Sequence, residues 1–327
     1  MRPLRHDQAL RQITPSAGRV MMGTFPGGKS GDEDDITPAD VDSLEKTIGR
    51  KVSWVMFSNN WFRSPRFPAK TAGWIRARGA IPYIRLMLRS DTREDHREPR
   101  YTLRAIAAGR FDKALRAWGR AAARFGTPII CEYGTEMNGR WFPWNGVWNG
   151  GRRGPARFAR AYRHIIDVIR GQGASNVIWV FHVNHEDDPP RRWNRFEAYF
   201  PGDAYIDWLG VSIYSALDPH QTERTDFAAS LSRNMKRFSR MAPGKPVIIA
   251  EMGSDVRNRH ENAARWADGA LKLILSGRWK SLIGFAWWNE RWPNGDNPAN
   301  DTDLRIQDSA PLRDVFRKHM RTPRLWP

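Results

Sequence analysis

The sequence predicts an α/β fold, a single (β/α)8 barrel, on three observations. Eight short apolar runs rich in Val, Ile, Phe and Trp alternate with longer amphipathic stretches. The chain has 327 residues and 40% hydrophobic content, a length that one barrel commonly fills. No internal repeat or low-complexity linker interrupts the alternation. The alternative, a doubly wound open sheet, usually carries a Gly-rich phosphate loop after its first strand. Gly27-Gly28-Lys29-Ser30-Gly31 lacks the full spacing and a helix directly behind it. The barrel is expected over residues 20–327, with residues 1–19 as an N-terminal extension.

The expected strands are, in order, Val20–Phe25, Val52–Phe57, Ile81–Leu88, Ile129–Tyr133, Val177–His182, Trp208–Tyr214, Val247–Glu251 and Ile283–Trp288. Helix patterns with start and stop signals lie between them. Thr37-Pro38 opens one, with Pro at the first helical position and Asp40 in the first turn. Phe111 to Phe125 stops at Gly126. Pro155 opens another, in which Phe158, Tyr162, Ile165, Ile166 and Ile169 recur at helical spacing before Gly171. Asp226 to Met241 precedes Gly244, and Glu261 to Leu275 precedes Gly277. Each Gly suits the left-handed position just past a helix end.

Lys and Arg number 53 against 35 Asp and Glu, a net charge of +18. Such a balance suits nucleic acid, anionic lipid or an acidic polymer. The excess is mostly arginine, 43 against 10 lysines, scattered from Arg2 to Arg324 without the interleaved basic and aromatic residues of an RNA-binding motif. Neither nucleic acid nor membrane is therefore an expected partner, and no run approaches the ~20 apolar residues of a membrane span. Met1 to Thr14 is charged and shows no apolar core of a signal peptide. The lone Cys131, in the apolar run Pro128 to Cys131, excludes an internal disulfide and reads as a small buried hydrophobe. Sixteen Trp are more than a core requires. Trp54, Trp118 and Trp266 fit core patterns, whereas others should line a surface where flat rings stack on sugar faces.

In a barrel the chemistry sits at the carboxyl ends of the strands. The fourth strand runs into Glu136 and the seventh ends on Glu251. Two carboxylates are what glycoside cleavage needs, one to protonate the departing oxygen and one to attack the anomeric carbon or activate water. A separation of about 5–5.5 Å gives retention, and roughly 6.5–9.5 Å gives inversion. Alone, two such glutamates would read as salt-bridged rim residues. Their neighbours argue otherwise: Asn138, Trp141, Phe142 and Trp144 follow Glu136, and Trp287-Trp288-Asn289-Glu290 ends the eighth strand.

Glu136-Met137-Asn138-Gly139-Arg140-Trp141-Phe142-Pro143-Trp144 resembles the acid/base segment of glycoside hydrolase family 26, a β-mannanase family with catalytic glutamates on strands four and seven. Three further stretches are similar to that family and in order. They are Tyr199 to Asp203 with Asp207 to Val211 and Tyr214, Lys245 to Ser254, and Gly284 to Glu290. The resemblance covers about Gly23 to Glu290. It implies that Glu136 is the acid/base and Glu251 the nucleophile, that Tyr214 holds Glu251, that Trp141 stacks on the leaving-group sugar, and that Trp287 or Trp288 floors the cleavage subsite. Asn138, Trp144 and Asn184 are further candidate substrate contacts. Tyr214 also reads as a half-buried strand-end tyrosine, Asn184 as a loop-capping amide, and His182 as a satisfied core histidine.

Two positions depart from the family pattern: Thr135 stands where His usually precedes the acid/base, and Glu132 stands where Arg is common. Strand alternation points Glu132 into the barrel, where a buried carboxylate needs a partner, and Arg85 is the expected one. No metal and no cofactor are expected. His182, His185, Glu186, Asp187 and Asp188 read as a solvated acidic loop, and the Asp/Asn-rich stretch 294–303 as a flexible substrate-side loop without calcium-site spacing.

The resulting expectation is a retaining, endo-acting β-glycanase with β-1,4-mannan as substrate. On the same scaffold stand a β-glucanase, a xylanase or a hydrolase of an acidic exopolysaccharide. A carbohydrate-binding barrel without catalysis is the reading from another class, against which both glutamates speak. The expected partner is a polysaccharide or oligosaccharide bound by a monomer, and that substrate implies an extracellular or periplasmic location.

Overall fold

The computed structural model describes residues 4–326. Met1–Pro3 and Pro327, the outermost residues of the expected extension and barrel, lie outside the described residues. The chain begins with α1 (His6–Ile13), β1 (Met21–Phe25), α2 (Pro38–Ile48), β2 (Trp54–Asn60), α3 (Ala69–Ala77) and β3 (Ile81–Met87). Next come α4 (Leu103–Ala107), α5 (Asp112–Phe125), β4 (Ile129–Tyr133), α6 (Gly154–Arg170), β5 (Val177–Asn184) and β6 (Trp208–Tyr214). It continues through α7 (Phe227–Met241), β7 (Val247–Gly253), α8 (Ala263–Ile274) and β8 (Leu282–Trp288). A two-stranded ribbon, β9 (Arg291–Trp292) and β10 (Thr302–Asp303), precedes the last helix, α9 (Ala310–His319). Strands β1 to β8 hydrogen-bond in chain order and close into a (β/α)8 barrel.

All eight expected strands are present. One link departs from strict alternation: β5 and β6 are joined by two short 3-10 turns, Arg192–Asn194 and Phe196–Tyr199, without an α-helix. The start of α2 follows its sequence signal, with Thr37 accepting from the Asp40 amide and the Asp40 carboxylate accepting in return. Gly126 and Gly277 take the left-handed conformation expected of them, at φ 77°. Gly171 does not; at φ −60° it extends the last turn of α6, and Gly173 makes the left-handed turn instead.

The chain divides into two compact units. One comprises Met1–Thr14, Phe57–Gly73 and Ile81–Gly210, and the other Pro15–Met56, Trp74–Ala80 and Val211–Pro327. In the first, β3, β4 and β5 run in parallel register, with Arg85 beside Glu132 and Glu132 beside Val180. Trp118 on α5 is fully buried and donates to Asn59. Tyr162 on α6 donates to the Val180 carbonyl at 2.6 Å and accepts from the Tyr133 amide, fastening helix to sheet. Burial pushes the Cys131 thiol well above its usual range, consistent with a small buried hydrophobe. Helix α1 is held to this unit by His6, whose ring lies 2.8 Å from Asp207.

In the second unit, the fully buried Trp54 indole fills the space left by two glycines. A Cβ on Gly23 would lie 2.0 Å from its ring and one on Gly284 2.6 Å. Large and small residues thus interlock across neighbouring strands, as a barrel interior requires.

Candidate active site

In the first unit, β4 leaves the sheet through Gly134, Thr135 and Glu136. Glu136 adopts φ 49°, a left-handed conformation that a side chain bearing Cβ rarely takes. Such strain costs roughly 1–3 kcal/mol and persists only where the surroundings over-determine it. Here they do. The Glu136 amide donates to the His182 carbonyl at 3.0 Å, and the Glu136 carbonyl accepts from the Gly139 amide at 2.7 Å. Trp144 donates its indole N–H to the Thr135 carbonyl, and Asn145 its amide to the Met137 carbonyl. Glu136 is 8% exposed, and its carboxylate accepts from the Trp141 indole N–H at 2.8 Å. Gly139 permits this approach, since a Cβ there would meet the Trp141 ring at 2.2 Å.

Beneath the turn lies Glu132, wholly buried. Arg85 is its neighbour as expected, with Nε 3.5 Å from Oε1. The other partners were not foreseen: His182 Nδ1 at 2.9 Å, the Tyr83 hydroxyl and the Thr135 hydroxyl. Burial alone raises a carboxyl's pKa, but His182, Arg85 and Thr135 together outweigh it and bring Glu132 down to about 2. Strand alternation was the signal for Arg85 and also carries Tyr83, two residues earlier on β3. His182 is thus a core histidine satisfied by a carboxylate.

The remaining candidates of this unit divide by exposure. Trp141 is half-buried. Asn184 is also half-buried; its amide donates to the Glu186 carbonyl. Asn138 has no exposed surface. Its amide donates to the carbonyls of Asn184 and Glu186 and to Asp187, and its side-chain oxygen accepts from the Asn184 amide. It holds two loops together and, so occupied, is not placed to touch a sugar. Trp144 is 3% exposed and stacks on Phe142 at 4.8 Å, within the loop that follows Glu136. The acidic loop is partly exposed, as expected, and is tied down at two points: Asp187 accepts from Asn138 and the Phe196 amide, and Asp188 lies 3.3 Å from Arg140.

In the second unit, Glu251 sits in a bulge. The register of β7 on β8 pairs Ile249 with Phe285 and then Met252 with Trp287, so Ala250 and Glu251 stand opposite one residue, Ala286. An extra residue kinks the strand and re-aims its side chain, as bulges beside functional sites do. Glu251 is 5% exposed and accepts from the Tyr214 hydroxyl at 2.8 Å, the contact expected of that tyrosine.

The two β8 tryptophans are told apart by their surroundings. Trp287 is fully buried; it donates to the Leu304 carbonyl at 2.7 Å and packs edge-on against Phe316, which excludes it as a sugar platform. Trp288 stacks on Phe25 at 4.1 Å and donates to Glu290. The loop after β8, expected to be flexible, is fastened. Arg291 pairs with Asp301, the Asp303 amide donates to Asp255, and Arg257 donates to the Pro298 and Ala299 carbonyls. Sequence reasoning missed Asp255 and Arg257, which belong to no motif. Among the described residues no group of His, Cys, Asp and Glu is arranged to hold a metal ion, and no helix is long and apolar enough to cross a membrane.

The sequence profile of glycosyl hydrolase family 26 matches residues 105–270, which include both glutamates. The chain belongs to glycosyl hydrolase family 26. Among family 26 structures, it is similar in fold to a modular endo-β-1,4-mannanase from Cellulomonas fimi, with a TM-score of 0.69 at 18% identity over 99% of this chain and 75% of that one. A family 26 β-mannanase from Bacteroides ovatus gives a TM-score of 0.65 at 17% identity over 98% and 92%. By sequence it is 26% identical to endoglucanase H of Acetivibrio thermocellus over 280 residues, 85% of this chain but only 28% of that protein. A mannan endo-1,4-β-mannosidase of Bifidobacterium adolescentis is 29% identical over 161 residues, 45% of this chain and 15% of that one. The chain thus spans about a quarter or less of the length of these two relatives.

Proposed function

We propose that this family 26 protein is a retaining glycoside hydrolase that cleaves β-linked polysaccharide internally, with Glu136 as acid/base and Glu251 as nucleophile. The observation that carries this reading is that each glutamate lies at a strand's carboxyl end and accepts a hydrogen bond from an aromatic donor, Trp141 in one case and Tyr214 in the other. In the first step the Glu251 carboxylate attacks the anomeric carbon while Glu136 gives its proton to the departing oxygen. In the second, Glu136 takes a proton from water, which attacks the glycosyl ester and frees Glu251. The Tyr214 hydroxyl restrains the attacking carboxylate in line. Trp141 would stack on the leaving-group sugar, Trp288 would floor the cleavage subsite, and Asn184 could bind a hydroxyl.

β-1,4-Mannan is the proposed substrate, on the strength of the mannanases among the relatives. The endoglucanase similarity, the longest of the curated matches described, favours a β-glucan as the second reading. A polysaccharide substrate also implies work outside the cytoplasm; the proposed form is a monomer, with residues 20–327 as the catalytic unit and 1–19 as an extension. Reducing-sugar release from galactomannan, glucomannan, mixed-linkage glucan, xylan and an acidic exopolysaccharide tests the substrate, with Glu136→Ala and Glu251→Ala as controls. Proton NMR of the newly formed anomeric centre tests retention. Activity surviving in Glu251→Ala would refute the nucleophile assignment.

A further inference from the structure

The turn that carries Glu136 is strained, and the side chains beneath it are more elaborate than a barrel interior requires. Thr135 is gripped at both ends. Its hydroxyl donates to Glu132 and accepts from Arg85 Nε at 3.3 Å, while its carbonyl accepts from the Trp144 indole at 2.8 Å. His182 is gripped twice as well: its ring hydrogen-bonds Glu132, and its carbonyl accepts the amide of Glu136 itself. Glu132 is the common anchor, wholly buried and lying directly below the turn at the end of β4. Every one of these groups is at least nine-tenths buried.

We propose that Glu132, Thr135 and His182 form a positioning device for the acid/base, holding the Glu136 backbone in its left-handed conformation so that its carboxylate meets the Trp141 indole. The inference rests on the acid/base reading of Glu136. None of the three touches substrate; they act through the turn. Two bonds converge on Glu136 from this device. One comes through the Thr135 peptide, fixed at its hydroxyl and its carbonyl, and the other through the His182 carbonyl. Without the Thr135 hydroxyl the turn keeps only its backbone bonds to His182 and Gly139 and the Trp144 indole bond, and these no longer outweigh the unfavourable φ of Glu136, so the turn relaxes toward negative φ. The Glu136 carboxylate then moves by an ångström or more. A displacement of that size can cost roughly 10²-fold in rate where a proton must be delivered along one line.

Thr135→Val tests this, since valine keeps the branched shape and removes only the hydroxyl. Turnover of galactomannan should fall roughly 10²-fold with KM little changed. On 2,4-dinitrophenyl β-mannobioside the deficit in bond cleavage should shrink, because that leaving group needs little protonation. Thr135→Ser, which restores the hydroxyl, should recover most of the loss. A crystal structure of Thr135→Val gives a readout independent of substrate: Glu136 should leave φ 49° and its bond to Trp141 should break. Undiminished turnover, an equal deficit on both substrates, or an unchanged turn would overturn the proposal. Azide rescue of Glu136→Ala on the aryl glycoside tests the parent reading separately. Rescue together with an indifferent Thr135→Val sinks only the positioning device, whereas absence of rescue sinks the acid/base assignment and this proposal with it.

Discussion

Glu136 and Glu251 are both strand-end glutamates, and the chain holds them by different means. Glu136 lies past its strand, on a turn whose backbone is strained and whose neighbours are fixed by side chains from β3, β4, β5 and the following loop. Glu251 lies inside its strand, where a bulge does the aiming and the ladder on either side supplies rigidity. The difference matches the tasks proposed for them. A nucleophile must meet one carbon atom and gains from the stiffness of a sheet. An acid/base must serve a leaving oxygen and then a water, so its position depends on a loop that many residues have to restrain. Substitutions around Glu136 should therefore damage activity from more positions than substitutions around Glu251.

The comparison can be broken at several points. Glu251→Ala should abolish turnover, by at least about 10⁴-fold, because no other group forms the glycosyl ester. Glu136→Ala should cost roughly 10²–10⁴-fold, the usual worth of general acid–base catalysis. Tyr214→Phe and Trp141→Phe each delete one neutral donor to a carboxylate. A hydrogen bond to the attacking Glu251 carboxylate is worth about 1.5–3 kcal/mol, so Tyr214→Phe should lower kcat by roughly 10- to 100-fold. The bond to Glu136, which carries its proton in the first step, is worth about 0.5–1.5 kcal/mol, so Trp141→Phe should lower kcat by roughly 2- to 10-fold. If Tyr214→Phe proved silent while Trp141→Phe did not, the bulge alone would suffice to hold Glu251.

Smaller effects should appear in stability. Glu132 has its pKa near 2 in the folded protein against 4.5 when unperturbed. Its pairing therefore stabilises the fold above about pH 4.5, and that contribution is lost as the pH falls toward 2. Glu132→Gln should unfold more easily at neutral pH, by a few kcal/mol, and should show a flatter loss of stability on acidification in urea melts between pH 2 and 6. Asn138→Ala should cost about 1–3 kcal/mol by removing the side chain that bonds both the backbone amide and the carbonyl of Asn184, with activity per folded molecule reduced less than in Trp141→Phe.

The strand order and the placement of Glu136 and Glu251 at the ends of β4 and β7 were legible in the sequence because β-branched runs and turn residues are local signals. So was the pairing of Glu132 with Arg85, since two inward positions on adjacent strands need only alternation to be matched. What the sequence could not separate was Trp287 from Trp288. A one-residue change of parity moves an indole from the sheet's outer side to its inner side, and the twin tryptophans satisfy either register. Asn138 misled for another reason: an amide among aromatics suits a sugar as well as it suits two adjacent loops, and only its lack of exposed surface decides. The bulge at Glu251 and the fastening of the loop after β8 depend on contacts far apart in the chain, to which no local pattern corresponds.

The burial of Cys131 gives the molecule a built-in reporter. The chain's one thiol is wholly inaccessible and held protonated, so a thiol reagent can reach it only when the sheet around β4 opens. The rate at which a colorimetric disulfide reagent labels the native protein therefore counts openings of the segment that carries Glu132 and Glu136, without any engineered probe. A substitution that loosens that segment would declare itself as faster labelling, even when the rest of the barrel keeps its melting temperature.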